Sequence, residues 1–481
     1  MAALQIQHGM RRGTDIIHGP DGYSYHANKV MKGGRVYVRC YRYCTIHCNG
    51  AASIDPDVPD GDFRRCKRHI HPPDRLLFHQ RRFRHAVLDR CRDGGDTSTF
   101  IDIYHEERRT LRIPDEAAGE VPFFKLRPSM QRARAEGRPN LPHTLSELAV
   151  ILQNPQFAHL TSTLEGADNL FAAVVGQTAE RTRAVLFFSR RNLRYMEEKV
   201  FKIFSDGTFV VPLNLGCAQI WVLNTVRMNH IITLGWVLMQ SKLTAAYIVV
   251  LQALRRLAPN FRPTEVMCDF EWGEQTAWAE VYPNAEASGC YFHFCSKTCE
   301  MAKELGYVGL LRENLQADSV VRSLCAIPLL HTDNLVEGFE SVLNRALELH
   351  LDELGPLFDY FLRTWLTPAR RRILSVYESE DRTNNISESH NRTLRAQVKV
   401  AHPNVFQLLS GFVRLEDITR FDLECFDNGQ PINLNRRLSA IANDQRIKQL
   451  TRDLNEGNRT VDEFLRAASR RIQGVYDAIL A

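Results

Sequence analysis

Two aspartates each close a short apolar run. Asp206 ends KVFKIFSDGT and Asp269 ends TEVMCDFE. Between them lie AQIWVLNTVRMN and HIITLGWVLMQ, rich in β-branched and aromatic residues, and then TAAYIVVLQALRRLAPN, apolar at helical spacing. Periodicity predicts strand, strand, strand, helix, strand over this stretch. If the outer two strands are parallel neighbours, Asp206 and Asp269 stand side by side although 63 residues apart. Two carboxylates held together repel unless a cation lies between them. Oxygen donors of this kind suit Mg²⁺ or Mn²⁺. The bland alternative is that both are strand-end turn residues, a common use of aspartate.

Three motifs stand in order along the chain. They are Ser205-Asp206-Gly207-Thr208-Phe209, Cys268-Asp269-Phe270-Glu271 followed by Gly289-Cys290-Tyr291-Phe292-His293-Phe294, and Thr383-Asn384-Asn385-Ile386-Ser387-Glu388 with Ser389-His390-Asn391 after it. Together they resemble the core of Mutator-like element transposases. The resemblance implies an α/β fold with a ribonuclease H-like catalytic core, interrupted by a helical insertion. It implies an Asp-Asp-Glu triad of Asp206, Asp269 and Glu388 that binds two divalent ions, Mg²⁺ or Mn²⁺. Glu337 and Glu340 are rival third acids; Glu388 is preferred because Thr383-Asn384-Asn385 is a capping-type start that places it in the first turn of a helix. Cys290 and His293 match a Cys-x-x-His pair of that family, with a role in packing or in positioning DNA. A zinc site built from Cys290, His293, Cys295 and Cys299 is an alternative use of the same residues.

A second set of metal-ligand residue types lies near the N-terminus. Cys40, Cys48, His69 and His71 supply two thiolates and two imidazoles, a donor set for tetrahedral zinc. DGYSYHANKV, GRVYVRCYRY and CNGAASID read as three strands around it. A unit of this size has little core, so a structural metal would add stability that it lacks. The order Tyr37…Cys40…Cys48…His69-x-His71 resembles the FLYWCH-type zinc finger. It departs from that pattern at Val38, where the family has Trp, and in the extra Cys44 and Cys66. Cys44 is an alternative to Cys48 as a ligand.

The chain has 481 residues, 44% hydrophobic and 24% charged, enough for a sizeable core and two to four domains. Residues 1–100 hold 17 Lys and Arg against 10 Asp and Glu, while the rest holds 44 against 46. A basic head on a near-neutral body suits a nucleic-acid-binding module joined to an enzyme-sized domain, or an ordinary solvated surface. No run of 18 apolar residues is free of charge, so no membrane span is expected. The N-terminus lacks an apolar signal core, so secretion is not expected and the 12 Cys read as thiols or ligands.

The organisation expected is a flexible tail over 1–18, the finger over 19–72, and a basic helix, linker and helical region over 73–198. The core follows over 199–300, the helical insertion over 301–380, the third-acid helix over 381–420, and a helical tail over 421–481. In 74–110, Leu76, Leu77, Phe83, Val87 and Leu88 share a helix face, with Arg81, Arg82, Arg84 and Arg90 largely elsewhere, either to lie along phosphate or as an ordinary solvated basic face. Residues 111–125 are the best linker. AVLFFSRRNLRYM reads as an edge strand. The resemblance implies a transposase that cuts and joins double-stranded DNA, at the element's terminal repeats and the target, as a homo-oligomer in the nucleus. A catalytically silent, host-adopted DNA-binding regulator is the alternative, and a ribonuclease H-like nuclease without transposition is a third reading.

Overall fold

A computed structural model of the chain describes residues 4–7, 15–31, 33–55, 57–58, 62–93, 96, 98–208, 215–379, 385–398, 403–430, 438–472 and 476; side chains at 385–389 and 438–440 are outside that description. The chain divides into two compact units, Met1–Asn140 and Leu141–Ala481.

The first unit opens with six antiparallel strands in sequential order: β1 (Gln5–Gln7), β2 (Ile16–His18), β3 (Ser24–Val30), β4 (Val36–Cys40), β5 (Ala51–Ile54) and β6 (Arg64–Lys67). A one-turn helix, α1 (Tyr43–Ile46), joins β4 to β5. The sheet's apolar core is small, with Ile17, Tyr25, Val38, Ala52 and Ile54 buried. Four helices follow: α2 (Leu77–Arg92), α3 (Phe100–Thr110), α4 (Asp115–Gly119) and α5 (Phe123–Glu136). They have a core of their own, built on Phe83, Val87, Leu88, Cys91, Ile103, Tyr104, Leu126 and Met130.

Three sequence expectations change here. The stretch expected as a loose tail, 1–18, contributes β1 and β2. Three-residue strands are too short for periodicity to reveal, and His18 is held between Ser24 and Gln7 by 2.9 and 3.2 Å contacts. The expected linker, 111–125, carries α4, whose Ala117 and Ala118 are buried. Its Pro and Gly mark the two ends of a short helix: Pro114 stands at the N-cap and Gly119 is the last residue. Finally, Arg90 is committed within the unit. It pairs with Asp96 at 2.5 Å, Glu106 at 2.6 Å and Glu107 at 3.2 Å, so it is not left to meet phosphate.

The second unit is built on a seven-stranded sheet. In chain order its strands are β7 (Phe171–Val175), β8 (Ala184–Phe187), β9 (Lys202–Thr208), β10 (Gln219–Arg227), β11 (His230–Met239), β12 (Glu265–Cys268) and β13 (Glu286–Gly289). In space the order is β13-β12-β9-β10-β11-β8-β7. Strands β9, β10 and β11 form an antiparallel meander. The β10–β11 turn is Met228-Asn229, with φ of 52° and 62°, the positive pair that a two-residue hairpin with the native twist requires. Two helical crossovers, α8 (Thr244–Leu257) and α9 (Trp272–Val281), return the chain so that β12 runs parallel to β9 and β13 parallel to β12. AVLF is indeed a strand, but it lies one in from the edge, where β7 covers it.

Both faces of this sheet are covered, which is why its central strands read as nearly unbroken apolar runs. Trp221, Leu223, Val237 and Met239 pack on one side with α8, α9 and α7 (Arg190–Lys199). Ile220, Val222, Trp236 and Leu238 pack on the other with α6 (Leu145–Gln153), α16 (Asn385–Val398) and α17 (Val405–Asp427). Between β13 and α16 the chain is helical: α10 (Tyr291–Glu304), α11 (Val308–Glu313), α12 (Leu315–Ala326), α13 (Leu335–Glu348), α14 (Gly355–Trp365) and α15 (Pro368–Leu374). This insertion has its own core around Phe294, Val321, Leu324, Leu335, Phe361 and Trp365. After α18 (Leu438–Asn455), α19 (Val461–Ser469) returns to that core with Phe464, Leu465 and Ala468. Asp462 reaches Arg345 at 3.0 Å. No helix among the described residues is long and apolar enough to cross a membrane.

Candidate functional site

Two sites emerge, one in each unit. In the second unit the register of β9 and β12 pairs Lys202 with Glu265, Ile203 with Val266 and Phe204 with Met267. That offset of 63, continued two residues past the last pair, brings Asp206, within β9, level with Asp269, just beyond the end of β12. Asp206 is 8% exposed. Burial pushes its carboxyl up to about 6, the Asp269 charge pushes the same way, and His293, the Gly207 amide and Asn391 oppose them. The Asn391 amide nitrogen lies 3.4 Å from the Asp206 carboxylate. Asp269 is half-exposed. Its Oδ1 accepts from the Phe270 amide at 2.6 Å and lies 3.5 Å from His293 Nδ1. Burial works against a proton on His293, but the Cys290 thiol and the two aspartates outweigh it and lift the imidazole to about 9. Charge repulsion held in a buried setting, with hard oxygen donors, fits a divalent cation.

The segment behind the pair is rigid. Glu274, in the first turn of α9, is fully buried and accepts hydrogen bonds from Ser205 Oγ and, at 3.1 Å, from Trp221 Nε1. Burial pushes its carboxyl up to about 8. Gln275 donates to the Asp269 backbone oxygen at 3.0 Å. One turn of α9 thus braces both acid-bearing strands. The sequence reading missed Glu274, and the available signal was a carboxylate on the apolar face of EQTAWAEV. It also gave no role to His390, which fastens α16 to the sheet. Trp236 Nε1 donates to His390 Nε2 at 3.1 Å, so Nδ1 carries the hydrogen towards Thr233 Oγ1 at 2.9 Å. Burial holds this imidazole neutral, near 4.

Helix α16 begins where the third motif predicts a helix. Glu388 is on it, but its side chain lies outside the described residues, as does the structure of 380–384. The rival acids Glu337 and Glu340 are exposed on α13, and Glu337 accepts from Asn334 at 3.3 Å. The alternative zinc set is not assembled. Cys295 and Cys299 are buried in the insertion core with Cys325, whereas His293 turns to Asp269.

In the first unit, Cys40, Cys48, His69 and His71 each bring one ligand atom within 4.8 Å of all the others, and among the described residues they are the group that could hold an ion this way. Cys40 Sγ lies 3.2 Å from His71 Nε2, and Cys48 Sγ lies 3.5 Å from His69 Nδ1. Zn–S near 2.3 Å and Zn–N near 2.0–2.1 Å at a tetrahedral angle put S and N about 3.6 Å apart. The tautomers agree. Tyr25 donates its hydroxyl hydrogen to Asp21 at 2.7 Å, so its oxygen accepts from His69 Nε2–H at 3.0 Å and leaves Nδ1 bare. His71 Nδ1 donates to the Pro72 carbonyl at 2.8 Å, leaving Nε2 bare. The amides of Arg42 and Gly50 point at the two sulfurs, 3.3 and 3.4 Å away. Gly50 is required: a Cβ there would sit 2.3 Å from His69 Nδ1. Cys44 and Cys66 are exposed and take no part, so Cys48 and not Cys44 completes the set. The outer partners Tyr25 and Asp21 fix the rings as ligands usually require; sequence spacing gave no hint of them.

No curated protein matches the chain. Residues 203–297, from β9 into α10, match the MULE transposase domain. The matched segment contains Asp206, Asp269, Glu274 and His293, and it supports a MULE transposase, with DNA as the partner and a divalent metal as the cofactor that such a domain implies.

Proposed function

We propose that this chain is a Mutator-like transposase whose second unit cuts and joins DNA with Asp206, Asp269 and Glu388, and whose first unit is a FLYWCH-type zinc finger that binds DNA. The observation that carries the reading is the shared register of β9 and β12, which levels two aspartates 63 residues apart. The strand order β13-β12-β9-β10-β11, three antiparallel strands followed by two parallel ones, supports a ribonuclease H-like core. Asn391 already touches Asp206. Glu388 stands three positions before it on the same helix, and residues three apart share a helix face, which supports Glu388 as the third acid.

Mg²⁺ or Mn²⁺ bound there would supply an activated water or 3′-hydroxyl and charge stabilisation for the leaving oxygen. The chain's part is to hold the acids in place. Glu274 and Gln275 brace the two strands, His390 fixes the helix of the third acid, and His293 steadies Asp269 from one side. The cores on both faces of the sheet give this arrangement rigidity before any ligand arrives. Zinc held by Cys40, Cys48, His69 and His71 would stabilise the N-terminal sheet. The protein acts in the nucleus, on terminal repeats and target DNA, as a homo-oligomer assembled on that DNA.

The test is cleavage of DNA carrying the element's terminal repeats, with and without Mg²⁺ or Mn²⁺. Cleavage should require the ion. Asp269→Asn should reduce it on the order of a thousandfold, the several kcal/mol that metal-assisted charge stabilisation is worth. Binding to the repeats should stay near wild type, because affinity comes from phosphate contacts. Cleavage retained in the variant would sink the reading.

A further inference from the structure

The chain has five tryptophans. Trp221, Trp236, Trp278 and Trp365 are 0, 0, 1 and 2% exposed, whereas Trp272 is 56% exposed. It is the third residue after Asp269 and the first of α9. Leaving an indole in water forgoes the burial that the other four obtain.

The turn that carries it is held on every side. Glu274 is tied to Ser205 and Trp221, Gln275 to the Asp269 carbonyl. Gly273 lets the helix start lie so close to the Lys242–Thr244 loop that a Cβ would meet the Lys242 carbonyl at 3.0 Å. The indole is therefore presented from a fixed base that also positions both aspartates. Cationic side chains hold the segment just before it. Lys242 Nζ pairs with Glu271 at 3.3 Å and lies 3.9 Å from where a Cβ on Gly207 would stand. Arg370, from α15, donates to the Phe270 carbonyl at 2.7 Å. A flat, wet aromatic surface on a rigid segment that cationic side chains hold matches the chemistry of a nucleobase on its phosphate backbone.

The geometry points to Trp272 as a stacking platform for an unpaired base of the DNA strand held at the Asp206–Asp269 pair. Every base has a π-face, so this contact grips an unpaired nucleotide without reading its sequence, and a base buried in an intact duplex offers it nothing. The inference rests on the proposed transposase reading for the nature of the strand, and its test is read by binding, not by cleavage.

Because the other four indoles are buried, Trp272 dominates the iodide-quenchable, long-wavelength fluorescence. The full chain carrying Asp269→Asn, with its zinc and no added Mg²⁺ or Mn²⁺, is titrated with a blunt duplex and with the same duplex bearing a three-nucleotide single-stranded overhang. The overhang DNA should quench that emission by half or more, and the blunt duplex should not. Trp272→Phe should remove the signal yet keep most of the affinity, since it keeps an aromatic face. Trp272→Ala should weaken overhang binding about tenfold and blunt binding less than twofold. Three results would overturn the inference: no quenching by overhang DNA, equal weakening on both DNAs, or quenching that grows with protein concentration alone, which would assign the indole to a second copy of the chain. Cleavage that survives Asp269→Asn would strike the transposase reading and leave the stacking measurement standing.

Discussion

The Cys/His group and the aspartate pair both gather groups suited to a cation, yet their surroundings differ in kind. Around Cys40, Cys48, His69 and His71 the sheet buries few apolar side chains, and the ligand geometry is set by hydrogen bonds: Tyr25 and Asp21 behind one imidazole, a backbone carbonyl behind the other. Around Asp206 and Asp269 the strands are covered on both faces. There the two carboxylates are positioned by packing and by a buried carboxylic acid. The first site should therefore need its metal to fold, and the second should need its metal only to react.

Zinc removal is the strongest way to break this comparison. Structural zinc contributes about 10 kcal/mol or more to domains of this kind. A chelator should therefore open residues 15–72 to hydrogen exchange while β9–β12 stay protected. Equal loss of protection in both regions would erase the distinction.

The second test uses the buried acid. Glu274 is held up near 8 in the fold and titrates near 4.5 when unfolded. The unfolded chain then loses its proton first, so the contribution of Glu274 to stability is full below about 4.5 and fades as pH rises towards 8. Glu274→Gln keeps an oxygen that can accept from Ser205 and Trp221 and has no proton to lose. It should match wild type near pH 4.5 and be more stable at pH 8, by several kcal/mol at most. Thermal melting of the second unit at the two pH values measures this; a variant that is less stable at pH 8 would show the acid to be charged in the fold.

The smallest effect sharpens the first site. Gly50→Ala pushes a methyl group against the His69 ring. Zinc affinity should fall about 10- to 100-fold, the cost typical of disturbing a ligand's support, as read by competition with a coloured chelator. Unchanged affinity would mean that His69 is not a ligand.

Much of the second unit was legible because its signals are local. The strands of the meander are apolar runs, a two-residue turn separates two of them, and the aspartates lie near the ends of strands whose parallel pairing follows from one helical crossover. The Cys/His set was legible for the same reason, as its residue types carry the chemistry by themselves. What escaped depends on partners distant in sequence. Nothing near Glu274 announces Ser205 and Trp221, which lie 69 and 53 residues away. Nothing near His390 announces Thr233 and Trp236. Strands β1 and β2 are defined by their pairing and not by their composition, and α4 was hidden because Pro and Gly at its ends look like breaks in the chain.

Helix α19 carries a consequence for the genetics of this protein. The insertion between β13 and α16 is finished by residues encoded about a hundred codons later, at Phe464, Leu465 and Ala468. A premature stop or frameshift after codon 427 spares Asp206, Asp269, Glu388 and the Cys40, Cys48, His69 and His71 group, and so would look mild when judged by motifs. It nevertheless strips the cover from an apolar core and leaves Arg345 without Asp462. Copies of the gene that decay from their 3′ end should therefore lose a folded protein while their motifs remain intact.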